Sequence, residues 1–165
     1  MNTDLLNAIG KATQGCSCLV TRLENGWSFS FTGTGAPGCA IFVSVPWRIV
    51  TGEGIAHAAD DDGQWFGLPE PVDGEAKANA LLSGRRVTSF TVDRVTADLR
   101  AEFDDGARLE VFNNSTGYEG WIATFQLGPD DVTWVGGGGG DLSFVSVPKG
   151  THPKLVVGQP LPRSA

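Results

Sequence analysis

The stretch Asp98–Trp121, DLRAEFDDGARLEVFNNSTGYEGW, decides how the rest of the sequence is interpreted. Apolar residues alternate with charged ones on both sides of Asp104-Asp105-Gly106, which is the period expected of a β-strand. An Asp-Gly pair between two such segments is a strong hairpin signal, because glycine readily adopts the positive φ of a tight turn. The stretch therefore predicts a hairpin over 98–112, a polar turn at 113–117 and an aromatic segment at 118–121.

The flanking sequence predicts more strands and two short helices. A second hairpin is expected over 18–31, with Asn25-Gly26 as its type I′ turn. The pattern favours an α+β fold built from antiparallel β-sheets, mostly hairpins, with one or two short helices. The expected helices span 4–13 and 74–82, and the further strands span 39–45, 47–50, 85–92, 122–127 and 132–135.

Length and composition indicate one domain followed by a tail. A chain of 165 residues suits a single core better than two small ones. Five glycines at Gly136–Gly140 precede a proline-rich end, and such sequences bury little surface. We therefore expect a single α+β domain over 1–135 and a flexible Gly/Pro-rich tail over 136–165.

The two halves of the chain share a weak rhythm. In each, an alternating strand leads through a glycine turn to an apolar strand and then to a tryptophan, Trp47 in the first half and Trp121 in the second. The pattern aligns Trp27–Phe31 with Leu99–Phe103 and Ala40–Val43 with Leu109–Phe112. Two similar β-units packed around one core are one interpretation, and chance similarity between hairpins is the other.

Charge and hydropathy exclude several classes of protein. A net charge of −7 disfavours nucleic-acid binding, which depends on Lys and Arg. No apolar run approaches the roughly 20 residues of a membrane span, and the N-terminus lacks a signal-peptide pattern, so we expect a cytoplasmic location. Cys16, Cys18 and Cys39 do not form a disulfide framework. A monomer or homodimer without cofactor or metal is expected.

Two segments contain candidate binding residues. Asp60, Asp61 and Asp62 form an acidic turn that lacks the ligand spacing of a calcium loop, and Trp65 follows in a polar loop. The second segment surrounds Tyr118, an amphipathic aromatic residue of the kind that anchors interfaces. Its other candidates are Ser115 and Glu119.

Catalytic interpretations have less support. A Ser115, His57 and Asp98 combination lacks the strand–turn–helix context of a serine nucleophile. Glu110 and Glu119 would suit glycoside hydrolysis only if they faced one cleft, and the side chains around the 113–117 turn more simply satisfy its backbone. No catalytic residue is therefore assigned.

The motifs Pro46-Trp47-Arg48, Asp98-Leu99, Phe103–Gly106, Leu109–Phe112 and Tyr118–Trp121 occur in this order. As a set they resemble a small bacterial family of uncharacterised proteins with the pattern pWR…DL…F.dG..LeVf..s.gYE.W. Some members of that family occur where immunity proteins against secreted toxins are found. The resemblance covers about residues 18–138 and implies a protective or binding role.

These observations lead to one hypothesis and one alternative. The hypothesis is a non-enzymatic, immunity-type protein whose acidic surface captures a basic, toxin-like protein partner. The alternative is a small-molecule-binding or hydrolytic protein that uses the carboxylate and aromatic side chains near Tyr118-Glu119.

Overall fold

The computed structural model describes residues 2–150 and 159–160. They form two antiparallel β-sheets and two α-helices, which confirms the predicted α+β class. The helices are α1 (Asn2–Thr13) and α2 (Gly74–Leu82), and the strands are β1 (Ser17–Leu23), β2 (Gly26–Thr32), β3 (Cys39–Val43), β4 (Trp47–Thr51), β5 (Gly54–Ala58), β6 (Val87–Val92), β7 (Leu99–Phe103), β8 (Arg108–Val111), β9 (Trp121–Leu127), β10 (Asp130–Gly136), β11 (Leu142–Pro148) and β12 (Gln159–Pro160).

The two sheets exchange strands between the halves of the chain. One sheet has seven strands in the order β1-β2-β3-β9-β10-β11-β12, and the other has five in the order β5-β4-β8-β7-β6. The chain leaves the seven-stranded sheet after β3 and enters the five-stranded sheet at Trp47. It returns after β8, and Trp121 is the first residue of β9. Each sheet is therefore completed by a hairpin from the other half.

This exchange gives the two halves equivalent topologies. The series α1-β1-β2-β3-β4-β5 corresponds to α2-β6-β7-β8-β9-β10, because β1-β2-β3-β9-β10 and β6-β7-β8-β4-β5 are neighbours in the same order. Trp121 pairs with Val43 and Trp47 pairs with Val111, so these two pairs occupy equivalent positions. The structure confirms the sequence alignment of Trp27–Phe31 with Leu99–Phe103. In the next strand the sequence alignment is wrong by one residue, because Val43 is equivalent to Val111 and not to Phe112.

The core lies between the sheets, where alternate residues of the strands point inward. Inward positions of β7 are buried at Leu99, Ala101 and Phe103, while Arg100 and Glu102 are exposed. The largest fully buried side chains include Trp47, Trp121 and Trp134. The 98–112 hairpin forms as predicted, with Gly106 at φ 84°.

Helix α2 has the predicted bounds because its N-cap residue and the glycine that follows it are visible in the sequence. The Asp73 carboxylate accepts a hydrogen bond from Ala76 N at 2.9 Å, which satisfies one free N–H of the first turn. Ala78 and Leu82 lie on its buried face, and Gly84 follows at φ 73°. Among the described residues, no helix combines the length and apolarity that crossing a bilayer requires.

The first hairpin forms with a different turn from the one expected. Leu23 pairs with Gly26, so the turn consists of Glu24 and Asn25, and neither has a positive φ. The type I′ turn predicted at Asn25-Gly26 is wrong. A side chain at position 26 would lie 2.5 Å from the carbonyl oxygen of Val43, so the glycine permits close approach of β3.

The predicted boundary at residue 135 is also wrong. Strand β11 pairs with β10 along its whole length, from Asp130 opposite Pro148 to Gly136 opposite Leu142. The seven-stranded sheet therefore continues through residues that were assigned to the tail. The rest of the predicted tail, at 151–158 and 161–165, lies outside the described residues.

The run Gly136–Gly140 connects these two strands as a packed corner. Its backbone is tied to the turn that follows β8: Gly139 N donates to Ser115 O at 2.8 Å, and Gly120 N donates to Gly136 O at 2.8 Å. The Asn113 side chain donates to Gly137 O at 2.8 Å. A Cβ at position 136 would overlap the Trp121 indole, so glycine is required here by contact distance.

We expect Gly140→Ala to destabilise the fold by on the order of 3 kcal/mol, because a Cβ there would overlap the Val95 carbonyl oxygen and φ is 82°. Urea denaturation at pH 7 measures this change. Gly52→Ala is the matched control, since no atom lies within 4 Å of its added Cβ and its φ is not in the left-handed region. Equal stability of the two variants would show that the glycine corner is not tightly packed.

Candidate functional site

The loop that joins β5 to α2, residues 62–73, exposes three large apolar side chains. Trp65 is 57% exposed, Phe66 68% and Leu68 51%. Isolated exposed apolar residues are common on protein surfaces, whereas three within four residues form a patch. Trp65 is exposed as the sequence predicts, and its role as a contact residue stays a prediction. Phe66 and Leu68, which the sequence prediction did not include, are exposed beside it.

The tip of this loop is a tight turn that projects Phe66. Leu68 N donates to Trp65 O at 2.7 Å, and the two central residues, Phe66 and Gly67, have φ values of 44° and 75°. Positive φ at both central positions defines a type I′ turn, which favours Asn, Asp or Gly. A phenylalanine in this conformation costs on the order of 1–3 kcal/mol. Such strain is typical of functional positions, and here it places an aromatic ring that is 68% exposed at the tip of the loop.

The base of the loop is closed by backbone hydrogen bonds. Gly63 N donates to Val72 O at 2.8 Å, and Val72 N donates to Gln64 O at 2.8 Å. The Asp62 carboxylate accepts from Gly74 N at 2.9 Å, which joins the loop to the start of α2. The turn at its tip is therefore presented on a fixed stem.

The three aspartates of the acidic turn have different roles. Asp61 accepts from Ala58 N at 2.9 Å. Asp62 binds Gly74 N and forms an ion pair with Arg22 at 3.3 Å. Both are half-buried, and only Asp60 is exposed. The structure thus separates two residues that position the loop from one that can meet a partner.

Three aromatic rings in edge-to-face contact lie near the base of the loop. Trp27 and Trp47 are in edge contact with centroids 5.0 Å apart, and His57 contacts Trp47 at 5.5 Å. His57 is fully buried, and its Nδ1 lies 3.4 Å from Asp61 Oδ2. Burial, the largest effect, lowers the pKa of His57; Asp61 opposes this shift and Lys77 adds to it. The histidine is therefore a neutral core residue at pH 7.

The second candidate segment forms the crossover from β8 to β9. The Ser115 hydroxyl accepts from Gly117 N at 3.2 Å and from Tyr118 N at 3.0 Å, so it closes the turn. Tyr118 is 81% exposed and Glu119 is exposed, whereas Trp121 is buried and donates through Nε1 to Ala97 O at 2.7 Å. The Ser115 hydroxyl therefore satisfies the backbone of this turn, as the sequence predicts for the side chains around it. The exposed pair does not share an enclosed site with Trp121.

The residues of the catalytic combinations have separate roles. His57 packs under the 62–73 loop, Ser115 closes its own turn, and Asp98 accepts from Asn113 N at 2.8 Å. Glu110 is surrounded by arginines. Burial acts to raise the pKa of Glu110, but hydrogen bonds from Arg48 and Arg108 outweigh it and hold this pKa below its ordinary value. A carboxylate held ionised in this way is unsuited to donate a proton.

The cysteines are free and buried. Burial raises the pKa of Cys39 to about 12 and also raises the pKa of Cys18, so both are thiols at pH 7. Within residues 2–150 and 159–160, no three His, Cys, Asp or Glu side chains form a group that could hold a metal ion.

The predicted site residues form two separate groups in the structure, one around the acidic turn and Trp65 and the other around Tyr118. Asp60 and Asp61 end the turn that precedes the 62–73 loop, Asp62 begins the loop, and Trp65 lies at its tip. Ser115, Tyr118 and Glu119 lie on the crossover between the sheets. Phe66 and Leu68 were missed, although a Trp-Phe-Gly-Leu segment between prolines and acidic residues carried the signal. The 62–73 loop is the stronger candidate site.

Compared with known proteins, the chain matches no family model, no curated protein and no solved structure.

We expect the folded state to lose stability as pH falls from 7 to 5.5. The lowered pKa of His57 means that, below about pH 6.5, the unfolded chain binds a proton more readily than the folded chain. The free energy of unfolding is therefore not reduced by His57 above pH 6.5. Below that pH it falls by up to about 1.4 kcal/mol per pH unit, until the pH reaches the folded-state pKa of His57. Urea denaturation at several pH values measures it.

His57→Gln should flatten this dependence, since glutamine does not titrate. Asp61→Asn should steepen it, because the carboxylate opposes the downward pKa shift. An identical pH slope in the wild type and in His57→Gln would assign the loss of stability to other groups.

Proposed function

We propose that this chain is a non-enzymatic binding protein that captures a basic protein partner through its 62–73 loop. The observation that carries this proposal is the turn Trp65–Leu68, where Trp65, Phe66 and Leu68 are exposed on a hydrogen-bonded stem. Exposed aromatic residues at a preorganised position dominate the affinity of many protein interfaces, because they desolvate a large apolar area at little cost in entropy. The strained φ of Phe66 supports the same conclusion.

Charge supports a basic partner. The chain has a net charge of −7, and the exposed carboxylates of Asp60 and Glu70 flank the apolar tip in sequence. A negative rim around an apolar centre attracts a positive surface and accelerates association. The same charges repel anionic lipid headgroups, so this loop is better suited to a protein than to a membrane.

The resemblance noted in the sequence supports an immunity-type role. In this proposal the chain acts in the cytoplasm, as a monomer or homodimer, and the partner is a basic toxin such as a nuclease. The product of a neighbouring gene is the first partner to test. Blocking a basic catalytic surface requires contact area and complementary charge, and it requires no chemistry by the blocking protein.

The alternative function has less support from the geometry. A small-molecule or hydrolytic site at Tyr118-Glu119 would need an enclosed pocket, and both side chains project into solvent. In the described part of the chain the Glu119 carboxylate has no hydrogen-bond donor.

We expect the combined variant Trp65→Ser, Phe66→Ser, Leu68→Ser to bind the neighbouring gene's product at least about 100-fold more weakly than the wild type. Isothermal titration calorimetry measures this loss, and growth during co-expression reports protection. The variant should remain folded, because its substituted side chains are exposed. Asp60→Asn should slow association mainly at low salt.

Leu19→Ser is the matched control, since Leu19 is 59% exposed and lies on β1 outside the loop. It should bind and protect as the wild type does. Absence of both binding and protection by the wild-type chain would refute the proposed function. Full activity of the triple variant would refute the assignment to this loop.

A further inference from the structure

The outer face of the five-stranded sheet carries a cluster of arginines around one buried carboxylate. Arg48 and Arg100 lie directly opposite Glu110 on the two neighbouring strands, and Arg108 lies two residues before it on β8. Arg48 Nε is 2.6 Å from Glu110 Oε2, while Arg108 Nε and Arg100 Nη2 are 2.8 and 3.3 Å from Oε1. Three positive charges thus converge on one negative charge.

The arginines cover the carboxylate and remain accessible themselves. The Glu110 side chain is only 6% exposed, whereas those of Arg48, Arg108 and Arg100 are 37%, 40% and 54% exposed. Arg48 and Arg108 use only Nε toward Glu110, and among the described residues their Nη groups have no hydrogen-bond acceptor. Arg48 also stacks over Phe112, with its guanidinium carbon 4.9 Å from the ring centroid. The unpaired donors are therefore held in fixed positions at the surface.

The equivalent row in the other sheet shows that the fold does not require this cluster. The series Arg100-Glu110-Arg48 on β7, β8 and β4 corresponds to Ser28-Phe42-Ile122 on β2, β3 and β9. Both rows lie on outward faces of antiparallel strands with the same neighbours, and one is uncharged. Buried ion pairs are often no more stabilising than apolar residues of similar volume. A role in stability alone therefore does not explain why the charges occur on one sheet.

A groove of about 380 Å³ lies beside the cluster and is lined by Arg100, Glu110 and Phe112. Asp93 and Asp98 also line it. Asp98 accepts from Asn113 N, and Asp93 accepts from Val95 N and Thr96 N, so both carboxylates are engaged with backbone groups. The groove is large enough for a small molecule, and Arg100 is the arginine of the cluster that lines it.

We propose that this cluster binds an oxyanion, the phosphate or carboxylate group of a small molecule, at the surface beside the groove. The free Nη groups of Arg48 and Arg108 are its main donors, and Arg100 joins them to the groove, where the rest of the molecule lies. Guanidinium groups match the geometry of both anions, and a preorganised fork loses little entropy on binding. Glu110 is a positioning residue that holds the arginines and leaves a net charge of +2 in the cluster. The site is independent of the 62–73 loop.

The full-length protein should be titrated with inorganic phosphate and, separately, with citrate, while amide chemical shifts are followed by NMR at pH 7. Sodium chloride at matched ionic strength is the control anion. We expect saturable shifts confined to β4, β7 and β8, and the anion with the lower Kd identifies the preferred head group.

Two variants test the assignment. The combination Arg48→Ile, Arg100→Ser, Glu110→Phe installs the neutral row of the other sheet and should abolish the saturable shifts. The double variant Arg48→Gln, Arg108→Gln keeps the Glu110 carboxylate and should raise the Kd for the anion at least about tenfold. It tests the proposal even if the first variant does not fold. Arg85→Gln, whose guanidinium pairs with Asp105 at 2.8 Å, is the matched control and should bind normally. Chloride giving the same shifts, or an unchanged Kd in Arg48→Gln with Arg108→Gln, would overturn the proposal.

Discussion

The pairing of β3 with β9 and of β4 with β8 is the constraint on which the rest of the structure depends. Each pair joins strands from different halves, so neither half completes a sheet from its own sequence. The chain crosses between sheets just before Trp47 and Trp121, and both indoles are buried at the crossing. These long-range pairings must form before either sheet can bury its inner face, which favours cooperative folding.

Local features of this fold could be predicted from the sequence because their causes are local. Helix α2 has its cap and its terminal glycine within a few residues, and the 98–112 hairpin has an alternating pattern around Asp-Gly. The strand exchange could not be predicted in this way, since a period of two shows which residues face inward and does not identify the partner strand. The wrong predictions of a type I′ turn at Gly26 and of a flexible tail from Gly136 have the same origin. Glycine is required at these positions by the approach of distant atoms, the carbonyl oxygen of Val43 and the Trp121 indole.

The sequence predicts only part of the candidate site, because it shows residue types and does not show their contacts or backbone angles. A tryptophan in a polar loop is a simple signal, and Trp65 is exposed. Composition does not show what a carboxylate contacts, so Asp61 and Asp62 were grouped with Asp60, although they bind Ala58 N and Gly74 N. The positive φ of Phe66 is a backbone property that is unusual for its residue type, and no sequence rule assigns it.

The internal equivalence also separates residues that maintain the fold from residues that require another explanation. After β5 and after β10 the chain forms a short 3₁₀ turn, Ala59–Asp61 in one half and Gly138–Gly140 in the other. The glycine turn packs against the crossover loop, and its counterpart leads into the loop that exposes Trp65 and Phe66. The two equivalent rows on the outer sheet faces also differ, since Arg100-Glu110-Arg48 is charged and Ser28-Phe42-Ile122 is neutral. Where one of two equivalent surfaces is neutral or packed and the other carries strain or charge, the shared topology cannot account for the difference. This difference is the reason for proposing a binding role for each of the two surfaces.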